Sequence, residues 1–323
     1  MTTTCRILVS FTPLALLAAC GTTPERVVSA LQAERFGNSE WPEPVNLGAP
    51  INSSVNDMNA SLSPDELSLY FISGRAGGLG GVDIWVSRRA SPDSPWEQPV
   101  NLGPNVNSAG LEASPVLSLD GHLLFFSSDR PGGQGSNDIY VARRADKNDD
   151  ISWGPAVNLG PDVNTAAFEA GGVYLQSAEE GAVNFYFVRG PNTVALDIYA
   201  APVNTDGESG GPAELVAELS IQDPAITDAH PSLRPDGREI YFYSNRPGSL
   251  GASDLWRSTR RSVHDPWSTP ENVLAPLSSA ANDIQPSLSH DGRTLIFAST
   301  RAGGLGGADI WMTTRTSSGK EVP

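Results

Sequence analysis

Thiols are almost missing from this chain. Of its 323 residues only Cys5 and Cys20 are cysteine, so residues 21–323 hold no disulfide, no thiolate metal site and no cysteine nucleophile. Charge is also sparse, at 18% of residues, and bases are outnumbered: 21 Lys and Arg stand against 37 Asp and Glu, for a net charge of −16. A chain without a basic footprint is a poor nucleic-acid binder; cations, basic partners and neutral ligands stay open to it. Long apolar runs are missing too. The mostly apolar stretch from Ile7 to Leu17 is too short to cross a bilayer. What the chain has in plenty is Gly (32) and Pro (26), which suits an all-β protein with many tight turns and not a helical bundle.

Arg6, the apolar run and "LAAC" at 17–20 follow one another in the order of a secretory signal. Leu-Ala-Ala-Cys resembles a bacterial lipobox, which implies cleavage before Cys20 and lipid on its thiol. Gly21 follows, where an Asp would mark inner-membrane retention, and this points to the outer membrane. Residues 1–19 are thus expected to be a signal peptide and 20–40 a lipidated tether.

Beyond the tether the sequence repeats itself. "GRAGGLGGVDIW" (74–85) returns as "DRPGGQGSNDIY" (129–140), "VRGPNTVALDIY" (188–199), "NRPGSLGASDLW" (245–256) and "TRAGGLGGADIW" (300–311). Arg75, Arg130, Arg189, Arg246 and Arg301 are each followed eight residues later by an Asp: Asp83, Asp138, Asp197, Asp254 and Asp309. Internal repeats at this spacing decide the fold before any single motif does. Each unit carries a short strand opened by an acid, a turn that is often Asp-Gly, an aromatic period-2 strand, the glycine loop, a strand beginning Asp-Ile or Asp-Leu, and "PVNLG" or a relative. Four short strands per unit predict a blade of a β-propeller. "WPEPVNLG" (41–48) precedes the first unit as an orphan fourth strand, and the fifth unit has none. The expected fold is an all-β, five-bladed propeller over 41–315 with four-stranded antiparallel blades, closed by the N-terminal strand in the last blade, with a tail at 316–323.

The glycine phrase itself resembles a phosphate cradle, but no Gly-Lys-Ser/Thr and no helix follow it, so it reads as a hairpin loop. "SPDELSLYFISGRAGGLGGVDIW" and "RPDGREIYFYSNRPGSLGASDLW" resemble the TolB-type, WD40-like propeller repeat of bacterial envelope proteins. That resemblance covers about 41–315 and implies the fold; for function it implies only an envelope setting, because such repeats serve scaffolds, receptors and enzymes alike. The third unit departs from the pattern, with no Asp-Gly turn and a longer acid-to-Arg spacing.

Asp57, Glu112, Glu169, Asp228 and Asp283 open the five first strands and are expected to ring one mouth of the central channel. Neighbouring carboxylates roughly 8 Å apart would repel by about 2 kcal/mol, so something must offset them. The Arg–Asp pairs eight apart read as structural bridges. Two residues past each acid stand Asn59, Ser114, Gly171, His230 and Gln285, polar, unequal and suited to an asymmetric binding pocket, with His230 read as a satisfied hydrogen-bonding residue more than a base. The recurrent Trp and Tyr of the third strand, and Trp41, Trp96, Trp153 and Trp267 before the fourth, read as inter-blade core. "DKNDD" (146–150) is acidic enough for weak Ca²⁺ but lacks the EF-hand glycine and glutamate, and "GESGG" (207–211) lacks the strand-to-helix elbow of a serine hydrolase. No cofactor and no metal is expected. The leading expectation is a lipid-anchored, non-catalytic module that binds an envelope protein or glycan at the acid-ringed mouth. The alternative is a glycoside hydrolase-like enzyme using paired carboxylates there.

Overall fold

The computed structural model describes residues 41–176 and 183–315. The signal segment, Cys20, the tether, part of the third unit's turn and the tail lie outside the described residues.

Twenty strands build five sheets of four. The described residues open on β1 (Val45–Asn46). The first blade is β2 (Asp57–Leu62), β3 (Ser68–Ser73), β4 (Asp83–Arg88) and β5 (Val100–Asn101). The second is β6 (Glu112–Leu117), β7 (Leu123–Ser128), β8 (Asp138–Arg143) and β9 (Val157–Asn158). The third is β10 (Phe168–Tyr174), β11 (Phe185–Gly190), β12 (Asp197–Ala201) and β13 (Glu214–Leu215). The fourth is β14 (Asp228–Leu233), β15 (Glu239–Ser244), β16 (Asp254–Thr259) and β17 (Glu271–Asn272). The fifth is β18 (Asp283–Leu288), β19 (Thr294–Ser299) and β20 (Asp309–Thr314). Its fourth strand is β1, antiparallel to β20 with Val45 opposite Met312 and Asn46 opposite Trp311; Leu47 N–H then donates to the Ile310 carbonyl at 3.1 Å. The expected five-bladed ring closed by both chain ends is the observed fold.

The second strand of each blade explains the stacking. In β3, β7 and β19 every residue is buried, so both sheet faces need cover, and the neighbouring blades supply it. Tyr70, Ile72, Ile84 and Val86 of the first blade share one cluster with Leu124, Phe126 and Tyr140 of the second. Leu69, Phe71 and Trp85 meet Ile296 and Ile310 of the fifth, so the last blade packs on the first as the others pack on their neighbours. The outer strands are shorter than "PVNLG" suggests, only two residues each. In the first blade Gly103 follows at φ +76° and turns the chain away, leaving little edge on which another chain could pair.

The glycine loops are set by close approach. A Cβ on Gly78 would lie 1.8 Å from Asp83 Oδ2, and one on Gly80 would lie 2.1 Å from the Gly110 carbonyl oxygen of the next blade. Gly135, Gly251 and Gly306 meet Ala167, Ala281 and Val55 of their neighbours in the same way, so the phrase recurs because blade contacts recur.

Candidate functional site

The five strand-opening acids are all fully buried. Each meets the arginine of its own blade. Arg75 Nη2 donates to Asp57 Oδ1 at 2.7 Å, Arg130 Nη2 to Glu112 Oε1 at 3.1 Å, Arg189 Nε to Glu169 Oε1 at 2.9 Å, and Arg301 Nη2 to Asp283 Oδ1 at 2.6 Å; Arg246 grips Asp228 through both Nη2 and Nε. The second carboxylate oxygen is taken as well. Ser53 gives Asp57 its backbone N–H (2.6 Å) and its hydroxyl (2.8 Å), Ser279 serves Asp283 likewise (2.7 Å each), and Ile221 N–H reaches Asp228 at 2.7 Å. Ser108 and Thr165 do the same for Glu112 and Glu169. The guanidiniums also lie over aromatic rings, with Arg75 5.0 Å from the Phe71 centroid and Arg189 4.6 Å from that of Tyr199. A buried charge with this many donors is compensated, and the mouth carries no row of free carboxylates.

The arginine partner differs from the one the spacing suggests. Each Arg reaches the acid that opens its blade and not the Asp eight residues on. Those Asp side chains are already engaged. Asp83 accepts Leu79 N–H at 2.6 Å and Gly80 N–H at 3.2 Å, and Asp138, Asp254 and Asp309 accept the matching pairs in their loops. Burial pushes the Asp83 carboxyl up, and the two loop amides pull it back. Asp197, in the departing third blade, is pushed up by burial and by the nearby Asp228.

Asn59, Ser114, Gly171, His230 and Gln285 do converge, but on one another. All five sit at positive φ, between 50° and 64°, and the inner-strand register shifts at this point in every blade. Each inner strand therefore carries a bulge at the same height, which re-aims its side chain; four non-glycine residues there share a conformation that L-residues seldom adopt. Asn59 Nδ2 donates to Ser114 Oγ at 3.1 Å, and Asn59 N–H donates to Gln285 Oε1 at 3.2 Å. A Cβ on Gly171 would stand 3.3 Å from His230 Cα. These residues close a polar neck about the axis. Both nitrogens of the His230 ring are sealed from solvent with no hydrogen-bond partner. Burial lowers its pKa to about 4, with the Pro286 and His230 carbonyls opposing the shift. Against the expected hydrogen-bonding histidine, the two ring nitrogens meet no partner in hydrogen-bond geometry among the described residues, while the half-buried ring lies near enough to the Pro286 and His230 carbonyls for them to act on it. Past the neck, the far ends of the inner strands line a cavity of about 80 Å³ among Leu62, Leu117, Tyr174, Leu233 and Leu288.

Larger clefts lie away from the axis. One of about 390 Å³ separates the first and second blades. At its floor Asp150, from the acidic loop read as a weak Ca²⁺ candidate, accepts from Ser68 Oγ, Tyr70 Oη, Arg88 Nε and Arg144 Nη1 at 2.6–2.7 Å. Burial alone would lift its carboxyl, but these donors hold it below the usual range. Glu239 plays the same part between the fourth and fifth blades, gripped by Arg234, Arg257 and Arg315; against its burial they bring its pKa down to about 2. The tryptophans before the outer strands are not all plain core. Trp96, Trp153, Trp267 and Trp41 lie under Arg89, Arg144, Arg260 and Arg315 at 4.2–4.8 Å. The sequence reading missed a third cleft, of about 680 Å³, along the fourth blade; six arginines between 234 and 261 were the available signal. Among the described residues no cluster of three or more His, Cys, Asp or Glu is placed to hold a metal ion, and no helix is long and apolar enough to cross a membrane.

No protein-family model and no curated protein matches this sequence. Solved structures do match the fold. An α-L-arabinofuranosidase from Lactobacillus brevis superposes with a TM-score of 0.54 at 12% identity, over 83% of this chain and 92% of its own. An endo-arabinase from Bacteroides thetaiotaomicron gives 0.50 at 15% identity, over 85% and 97%. A structure from Agrobacterium tumefaciens provisionally assigned as TolB gives 0.43 at 19% identity, over 76% and 71%, too distant a superposition to carry an argument. These likenesses show the propeller fold alone.

Proposed function

We propose that the chain is a TolB-type, WD40-like propeller lipoprotein. It would be anchored through Cys20, most simply in the outer membrane facing the periplasm, and would serve as a non-catalytic module for an envelope protein or glycan partner. The observation that carries the reading is the saturation of the five strand-opening acids. A carboxylate held by an arginine and by a loop amide or hydroxyl, and shut off from solvent, is poorly placed to exchange a proton with a substrate, and none of the five is exposed. The binding surface is the face of the glycine loops, where Leu79, Leu250, Leu305 and Val194 stand 50–62% exposed at the loop tips. Apolar tips held by rigid hairpins give a partner contact area at little ordering cost.

A second reading, a glycan-processing enzyme, is favoured by one observation: glycosidases share this five-bladed fold. It requires two carboxylates free at the mouth, hence the opening of at least two Arg–acid pairs. One experiment separates the two readings. The full chain is incubated with arabinan and xylan and reducing ends are counted; in parallel, partners are captured from envelope extract with the wild type and with Leu79→Asp/Leu250→Asp/Leu305→Asp. The binding reading expects no sugar release and a partner lost in the triple variant. Sugar release that disappears in Glu112→Gln would replace it with the enzyme.

A further inference from the structure

Arginines recur six residues after the Asp that opens the third strand: Arg89, Arg144, Arg260 and Arg315. All four stack on a tryptophan, and all four donate Nε to a carbonyl of the preceding turn. Three also face a carboxylate: Arg89 meets Glu66 at 3.9 Å, Arg144 meets Asp150 at 2.7 Å and Arg315 meets Glu239 at 2.9 Å. Arg260 has none. Beside it, in the same cleft of about 680 Å³, stand Arg234, Arg238, Arg257 and Arg261.

Among the described residues no acid near this cleft forms an ion pair with Arg238, Arg260 or Arg261, although Asp236 keeps its buried Oδ2 without a hydrogen-bond partner. Glu239 is shared by Arg234 and Arg257, and Asp236 pairs with Arg234 at 2.8 Å. Asp265, on the cleft wall, accepts the Ser262 hydroxyl at 2.9 Å. Among the described residues, that leaves Arg238 and Arg261 with no ion pair or side-chain hydrogen bond. Arg238 Nε is buried and unpartnered, a state that costs free energy unless something completes it. A structural role would have brought an acid here, as it did three times at the sibling positions. In a chain of net charge −16, unpaired guanidiniums gathered in one cleft are a local inversion of sign.

We propose that the arginine cleft of the fourth blade binds a phosphoryl oxyanion. A single carboxylate satisfies one guanidinium edge. A tetrahedral group with three terminal oxygens accepts from two or three guanidiniums at once, and the planar fork of arginine matches it in a way the lysine point charge does not. Trp267 and Pro266 form an apolar wall beside the cations, which fits a group carried on an organic stem. The site is independent of the glycine-loop face.

The test is calorimetric titration of the full chain with inorganic pyrophosphate at constant ionic strength set by chloride. Saturable one-to-one binding is expected in the wild type, weakened at least about tenfold in Arg238→Gln/Arg261→Gln and unchanged in Arg143→Gln/Lys147→Gln, which removes equal charge from the second blade. Should the first variant fold poorly, as read by its melting temperature, Arg261→Gln alone, on an exposed side chain, is expected to weaken binding severalfold. Flotation with vesicles containing phosphatidic acid gives the second arm: binding there and not to pyrophosphate assigns the oxyanion to a lipid headgroup, and binding to both assigns it to the phosphoryl group itself. No saturable binding in either arm overturns the proposal, as does equal weakening by both double variants.

Discussion

Arg315 stacks on Trp41, guanidinium carbon 4.8 Å from the ring centroid, and so joins the last described residue of the chain to the first. Trp41 Nε1–H also donates to Tyr241 Oη at 3.2 Å, and Thr313 Oγ1 donates to the Pro42 carbonyl at 2.8 Å. The two-residue strand β1 is therefore held by side chains as much as by its ladder. Trp41→Ala is expected to lower stability by about 3 kcal/mol and to expose residues 41–48 to limited proteolysis. Trp96→Ala, which breaks the same stack on Arg89 within a continuous blade, is expected to leave that segment protected. Denaturant unfolding and mapping of the first cleavage site check both.

The glycine loops make a sharper case. Gly80→Ala would place a methyl 2.1 Å from the Gly110 carbonyl oxygen, and Gly78→Ala one 1.8 Å from Asp83 Oδ2; each is expected to cost about 2 kcal/mol or more. Gly81→Ala, with nothing within 4 Å, is expected to stay within about 0.5 kcal/mol of wild type. Thermal melts of the three variants decide it.

Acid should destabilise the fold in two steps. His230 titrates near 6.5 when unfolded and near 4 when folded, so between those values the unfolded chain binds the extra proton. Its contribution is fully present above pH 6.5 and is lost as pH falls through 4, about 3 kcal/mol in all. Glu239, lowered from 4.5 to about 2, adds stability present above pH 4.5 that is lost as pH falls through 2. Urea midpoints measured from pH 7 to 4.5 should decline in the wild type and flatten in His230→Asn, a residue that tolerates the same positive φ.

Arg246→Leu would strand the fully buried Asp228 carboxylate and is expected to cost about 3–5 kcal/mol. The double variant Arg246→Leu/Asp228→Leu is expected to lose less than Arg246→Leu alone. A double-mutant cycle by chemical denaturation measures the difference.

The ring of blades was legible because period-2 aromatic strands and the five Arg–Asp phrases recur at near-constant spacing, and because the orphan "WPEPVNLG" had one vacant place to fill. The bonding was not. Arg75 lies eight residues before Asp83 and eighteen after Asp57, and sequence distance does not show that the amides of Leu79 and Gly80 have already taken the nearer acid. The neck residues were found as a set, but their shared bulge was hidden, since Asn59, Ser114, His230 and Gln285 carry no glycine to announce a left-handed backbone. The arginine cleft escaped because a chain-wide charge of −16 masks a local surplus, and because only the fold shows that Arg260 lacks the acid its three siblings have.

The pairing of β1 with β20 also bears on how the protein is made. The ribosome delivers the clasp strand first and its partner some 260 residues later, as the register Asn46 to Trp311 requires. The first four blades can assemble before β18–β20 are available, but until then the fifth has only its clasp strand and the circle stays unsealed. Completion is thus a late, long-range event of the kind that slows folding, and an incomplete polypeptide would carry an uncovered flank on its first blade for a chaperone to shield.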